Sequence, residues 1–387
     1  MNKFVIGALA LTSASSLAYA GGVETKEWST LDRDILSLTS NVPPVSAVTI
    51  SGFVRMRGAR SNDVDVDQTT AGTQKLSGFT MDNARVVLDA SQGDFGAHIA
   101  VDAVEVNENT VNAGFSQNQT GNVHVLDAYA TGSFGNGMMG QVGLFRAPFL
   151  GSALIDENHM LLLDRTFNGQ VWSGRQEGVQ LGGAFDRFGW MLALQNGSDG
   201  VANGYMWTGR VTFTPMGAIT NQEGAFGASS DTCLRFAAAY SDDTKDSAGK
   251  DKKGEAWALE GNLTQGGFSF HAELVDYKDD ITPNSGMNIT TGAINAVGHL
   301  PAGIPPGFHG SDTPWSATAG LLVAPSVEVV GRYEDLDDSD NTNAATLGVN
   351  VYAGTHNAKF TLQATRSRSD DPDKKADTVA FGVTVGA

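Results

Sequence analysis

The chain has 387 residues, 41% of them hydrophobic and 18% charged, with 47 glycines. Against a usual charged share of ~25% and a usual glycine share of ~7%, this balance excludes a charge-rich disordered chain and does not fit a helical enzyme. The 43 acids outnumber 25 bases for a formal charge of −18, which disfavours nucleic acid as a partner, because phosphate contacts need a basic face.

Residues 1–20 read as a secretory signal peptide. Lys3 is followed by a mostly apolar stretch from Phe4 to Leu17, and Ala18-Tyr19-Ala20 supplies the small-x-small cleavage pattern. The mature chain is therefore expected outside the cytoplasm. In residues 21–45, Trp28, Leu31, Ile35, Leu38 and Val42 recur at spacings of three and four ahead of Pro43-Pro44, which predicts a short helical segment. Two readings stand for it: a leader or amphipathic helix lying against the rest of the molecule, or a periplasmic coiled coil that helps a trimer assemble. The single cysteine, Cys233, excludes an intramolecular disulfide framework. After the signal no apolar run reaches the ~18 residues of a transmembrane helix.

From residue 46 onward, apolar and polar residues alternate with a period of two. In Phe268 to Tyr277, Phe268, Phe270, Ala272 and Leu274 oppose Ser269, His271 and Glu273; in Lys359 to Thr365, Phe360, Leu362 and Ala364 oppose Lys359, Thr361, Gln363 and Thr365. This alternation predicts strands with two unlike faces. Sixteen are expected: 48–56, 79–91, 95–106, 123–134, 138–145, 178–185, 188–195, 205–215, 233–242, 255–264, 267–277, 315–324, 326–335, 344–353, 357–368 and 376–386. Their connections alternate between tight turns and long polar loops, with one exception: the connection 216–232 is long where a short turn is expected. An even number of two-faced strands of about ten residues, with turns at one end and loops at the other, is the pattern of an all-β, transmembrane antiparallel outer-membrane barrel. Residues 46–387 are expected to form it. A barrel of this width is too large for side chains to fill, so its inner face should meet water.

Gly143-Leu144-Phe145-Arg146-Ala147-Pro148-Phe149, then Asp164-Arg165, then Gly174-Arg175-Gln176-Glu177-Gly178-Val179, resembles the stretch around the inward-folded third loop of the phosphate-selective porin family. Thr346 to Tyr352 with His356 to Leu362, and Phe79 to Ala90, resemble a late hairpin and the second strand of that family. The resemblance implies a sixteen-stranded, trimeric porin with the third loop narrowing the pore and basic residues guiding anions. The second strand here keeps a single arginine, Arg85, where that family is arginine-rich, so the expectation is a weak anion preference rather than tight phosphate binding.

The candidate constriction residues are Arg146, Arg165 and Arg175 with Asp156, Glu157 and Asp164, the arginines expected to face the lumen as wall salt bridges, solute contacts or both. Leu154-Ile155 and Leu161-Leu162-Leu163 should pack this loop onto the wall. Pore-lining candidates are Arg55, Arg57, Arg85, Arg210, Arg235 and Arg332 with Asp102, Asp127 and Glu273. Acidic clusters around Asp63, Asp242, Asp335 and Asp370 are either solvated loop tips or divalent-cation sites bridging lipopolysaccharide. His98 and His271, on inward strand faces with the carboxylates Asp102 and Glu273 four and two residues away, read as polar lining. No zinc spacing, phosphate-cradling loop or nucleophile elbow occurs, so no enzyme, cofactor or metal is expected. The reading is a passive channel for small hydrophilic solutes; a non-conducting surface barrel and a barrel-scaffold enzyme are the alternatives.

Overall fold

The computed structural model describes residues 47–64, 74–103, 123–196, 205–218, 222–247, 250–278, 313–337, 341–370 and 376–387. The signal peptide, the helical segment 21–45 and part of each of the acidic loop tips at Asp63, Asp335 and Asp370 lie outside these residues. Sixteen strands follow in chain order. The first eight are β1 (Ala47–Val64), β2 (Gln74–Gln92), β3 (Phe95–Asp102), β4 (His124–Gly135), β5 (Met138–Arg146), β6 (Arg175–Phe185), β7 (Phe188–Asn196) and β8 (Tyr205–Met216). The rest are β9 (Cys233–Ser247), β10 (Lys250–Gln265), β11 (Phe268–Lys278), β12 (Trp315–Ala324), β13 (Val327–Asp335), β14 (Asn343–Tyr352), β15 (Ala358–Arg368) and β16 (Ala376–Gly386). Each pairs antiparallel with its neighbours in sequence, and β1 pairs with β16 from Phe53 opposite Gly386 to Asn62 opposite Asp377. The sheet is thus a closed barrel, which leaves no unpaired edge.

Period two sets the two faces. Ile50, Phe79, Phe185 and Leu347 point outward and are at least 70% exposed, whereas their inward neighbours Arg57, Arg85 and Thr346 are buried. An apolar exterior around a polar interior inverts the soluble pattern and makes this a membrane-spanning barrel of the outer-membrane type. The tight turns match the sequence reading. Asn136-Gly137 joins β4 to β5 with φ of 51° and 74°, and Gly266-Gly267 joins β10 to β11 with 55° and 94°, the left-handed backbone that two-residue hairpins require.

Between β5 and β6 the chain turns into the barrel. It forms α1 (Gly151–Leu154), a 3-10 turn (Glu157–His159) and α2 (Phe167–Val171). Phe149, Leu150, Phe167, Val171 and Trp172 of this loop pack with Met206, Val275 and Tyr277 of the wall in a core inside the barrel. Phe149 stacks on Trp172 with ring centroids 3.7 Å apart, and the Trp172 indole donates to the Tyr277 hydroxyl at 2.9 Å. Leu161, Leu162 and Leu163 are buried as expected, and wall glycines make room for two of them. A Cβ at Gly348 or Gly382 would collide with Leu162 or Leu163.

Candidate pore constriction

The inward loop is held by side chains that the alternating pattern aims at it. Glu260 on β10 accepts from the Gly151 backbone N–H at 2.8 Å, and Glu334 on β13 from the Phe167 N–H at 2.6 Å. These are the first residues of α1 and α2, where helices leave N–H groups without internal partners. Glu273 on β11 accepts from the hydroxyls of Ser152, Thr166 and Ser316. On the opposite wall, Lys359 donates to the Met160 carbonyl at 2.5 Å, Asn350 to the Leu161 carbonyl at 2.8 Å, and Gln363 accepts from the Leu163 N–H at 2.9 Å. Apart from Glu273, sequence reasoning did not place these residues in the site. Each sits on an inward position of a predicted strand, so the signal was the parity of a polar residue.

The charged candidates converge where this loop faces β1 and β2. Glu157 receives Arg85 at 2.5 Å, Arg165 at 2.8 Å and Arg146 at 3.2 Å. Burial alone would raise the Glu157 carboxyl; Arg85, Arg165, Arg146 and Arg175 override it and hold it well below the usual carboxylate range. Arg57 bridges Asp82 at 2.9 Å and Asp164 at 2.8 Å, Arg55 lies 3.5 Å from Asp82, Arg85 reaches Asp102 at 3.4 Å, and Arg175 pairs with Asp127 at 3.1 Å. Six arginines (55, 57, 85, 146, 165 and 175) thus meet six carboxylates (Asp82, Asp102, Asp127, Asp156, Glu157 and Asp164). The network is charge-balanced.

Of the two roles expected for these arginines, wall salt bridge and solute contact, Arg146 and Arg165 have the geometry of the first. Arg146 and Arg165 do not present free guanidinium groups to the lumen: both are buried, 7% and 3% exposed. A buried guanidinium is stable only when paired and hydrogen-bonded, and the loop supplies Glu157 and the carbonyls of Ile155 and Ser152 for that purpose. The group left toward water is Asp156, with its side chain 54% exposed, 3.5 Å from Arg85 and 3.6 Å from Arg146.

Among the other lining candidates, Arg210 is locked to Glu260 at 2.7 Å, and Arg332 donates to Thr318 at 3.0 Å and to the Asp164 carbonyl at 2.8 Å. Arg235 makes no ion pair among the described residues. His98 pairs at 2.7 Å with Asp89, the residue opposite it on β2, rather than with Asp102, and stacks on Tyr129. No cluster of metal-ligating side chains occurs among the described residues.

The long connection between β8 and β9 is explained by where it goes. Residues 222–226 fold inward from the turn end: the Glu223 carboxylate accepts from the Leu161 N–H at 2.8 Å, and the Glu223 N–H donates to the His159 carbonyl at 3.1 Å. Ala225 N–H donates to Glu328 at 2.8 Å, and Phe226 stacks on Tyr352 at 3.9 Å. The lumen is therefore narrowed from both ends, by the loop after β5 and by the turn after β8.

No protein-family model and no curated protein sequence matches the chain. Among solved structures it is similar to the outer membrane channel DcaP of Acinetobacter baumannii, with a TM-score of 0.54 and 14% identity over 88% of this chain and 97% of that one. It is also similar to a loop L8 deletion mutant of OmpT, an outer membrane protein of Vibrio cholerae (TM-score 0.53, 13% identity, 88% of this chain, 99% of that one). A third likeness is OpdL of Pseudomonas aeruginosa (TM-score 0.50, 13% identity, 87% and 98%). These likenesses show the fold, that of an outer-membrane barrel, and stop short of the phosphate-selective family that the sequence motifs resemble.

Proposed function

We propose that this protein is a passive outer-membrane channel for small hydrophilic solutes. The observation that carries the reading is the inward loop itself. A water-facing interior braced by a buried, charge-balanced network is suited to a size-selecting opening, and a network with as many arginines as carboxylates favours weak ion selectivity. The turn end, which holds both strand termini of the barrel, faces the periplasm in this reading, and the loop end faces outward toward lipopolysaccharide. The sequence resemblance is what supports a homotrimer in this reading. Stepwise conductance of the purified full-length protein in a planar bilayer tests the channel, and a protease site placed near Asn284 and cut on intact cells tests the orientation.

One observation favours a second reading. The meeting of Glu223 with Leu161 closes part of the lumen, as expected of a barrel that does not conduct at rest. Silence in the bilayer without hydrolysis of lipid or peptide would support a non-conducting barrel; silence with hydrolysis would support an enzyme.

A further inference from the structure

One stretch of inward wall is left out of the ion-pair network. Arg235 on β9, Asn262 on β10, His271 on β11 and Thr318 on β12 stand opposite one another across four neighbouring strands, so they form one row on the lumen side. Thr318 is engaged by Arg332. The other three are not engaged in this way: Arg235 Nε, Asn262 Nδ2 and His271 Nε2, together with Ser269 Oγ beside them, are buried polar atoms without a hydrogen-bond partner. His271 Nε2 lies 3.8 Å from Glu273, whose oxygens already serve Ser152, Thr166 and Ser316. The row lines a small recess, part of it open to the lumen, bounded across from the wall by Ser152 and Ile155 of the loop and by Gln222 and Glu223 of the inward turn.

Buried donors left unsatisfied are costly, and here an arginine, an amide, an imidazole and a hydroxyl converge on one recess. All four can donate, and a carboxylate can accept from each of them. We propose that this recess binds a small monoanionic carboxylate, held by the Arg235 guanidinium with Asn262, Ser269 and His271 as further donors. Monoanion selectivity follows from the charge count: among the described residues that line the recess, Arg235 is the arginine or lysine present and has no ion pair, while Glu223, Glu260 and Glu273 stand close by and oppose a second negative charge. The proposal deepens the channel reading, since the solute would reach the recess through the lumen.

The test is titration of the folded full-length protein with sodium acetate, read in two ways. In a bilayer bathed in potassium chloride, acetate should lower the single-channel current saturably. By carbon-13 saturation-transfer NMR, acetate should bind the detergent-solubilised barrel whether or not it conducts. Arg235→Gln should weaken both responses roughly tenfold or more, as expected for loss of a charged hydrogen-bond donor. His271→Leu should weaken them less, and it stands in if Arg235→Gln does not fold. Arg366→Gln, on an exposed side chain near the loop end, should leave them unchanged. Chloride conductance with no saturable acetate response overturns the site and leaves the channel standing, whereas acetate binding by a silent barrel supports the site and removes the channel. Equal acetate binding in wild type and Arg235→Gln overturns the proposal, as does tighter binding of inorganic phosphate at pH 8 than of acetate.

Discussion

Glu223 and Leu161 enter the barrel from opposite ends and meet at 2.8 Å, carboxylate to backbone N–H. The contact couples two segments that the strand pattern alone keeps apart. It also ties both to β13, since Glu223 lies 3.6 Å from Arg332 and Leu161 packs on Val330.

Replacing Glu223 with alanine should free the inward turn. The Leu161 N–H would lose its buried acceptor, a loss of about 1–3 kcal/mol, so the opening equilibrium of the turn should rise roughly tenfold or more. Cys233 follows the turn directly, is buried, and is the sole cysteine. Maleimide labelling of Cys233 at neutral pH should therefore speed up by a similar factor, and single-channel conductance should increase. Unchanged labelling and conductance would mean that the turn is held by its backbone bond to His159 and by Ala225 and Phe226.

Glu260→Gln should be among the most destabilising single substitutions. It leaves Arg210 buried without its carboxylate, with side-chain exposures of 3% and 1% for the pair, and weakens the cap on α1. Breaking a buried pair from one side costs about 3–5 kcal/mol. Urea unfolding of the barrel in detergent should show that loss. A double replacement, Arg210→Met with Glu260→Met, should cost much less, because no uncompensated charge remains.

Charge balance at the constriction makes selectivity sensitive to single removals. Arg146→Gln with Arg165→Gln leaves Glu157 and Asp156 under-compensated, so the zero-current potential in a salt gradient should move toward cation preference. Removing Asp156 alone should move it toward anions, since that carboxylate is the exposed member of the network. An unmodified pore that strongly prefers either ion would show that charges outside this network dominate.

The barrel was legible in the sequence because a closed sheet leaves a periodic record: each strand must alternate, and Ile50, Phe268 or Leu362 on one parity oppose Arg57, Glu273 or Gln363 on the other. The constriction loop was legible through its leucines and arginines. Its staples were not, because Glu260, Asn350 and Lys359 differ from any other inward polar residue only in what stands opposite them, a relation that links positions more than a hundred residues apart. The inward turn after β8 left only its length as a signal. Glu223, Ala225 and Phe226 carry no motif, and their role follows from partners on β13 and β14.

The turn between β14 and β15 adds a pH dependence. His356 donates through Nε2 to the Phe226 carbonyl at 2.9 Å and faces His159 with ring centroids 5.6 Å apart. Burial first, then Lys359 and His159 nearby, push it down to about 4, against the opposing pull of the Phe226 carbonyl and Glu223. Burial lowers His159 as well. A histidine whose folded value lies below its unfolded value of ~6.5 stabilises the folded contact fully above that pH and progressively less as pH falls toward 4. Acid should therefore loosen Phe226 and the inward turn between pH 6.5 and 4, while the Glu157 cluster, held ionised by its arginines, stays intact over that window. Mean single-channel conductance should rise as pH falls through this range, and the rise should be missing in His356→Gln. Identical pH profiles for the two proteins would place the titrating group elsewhere in the lumen.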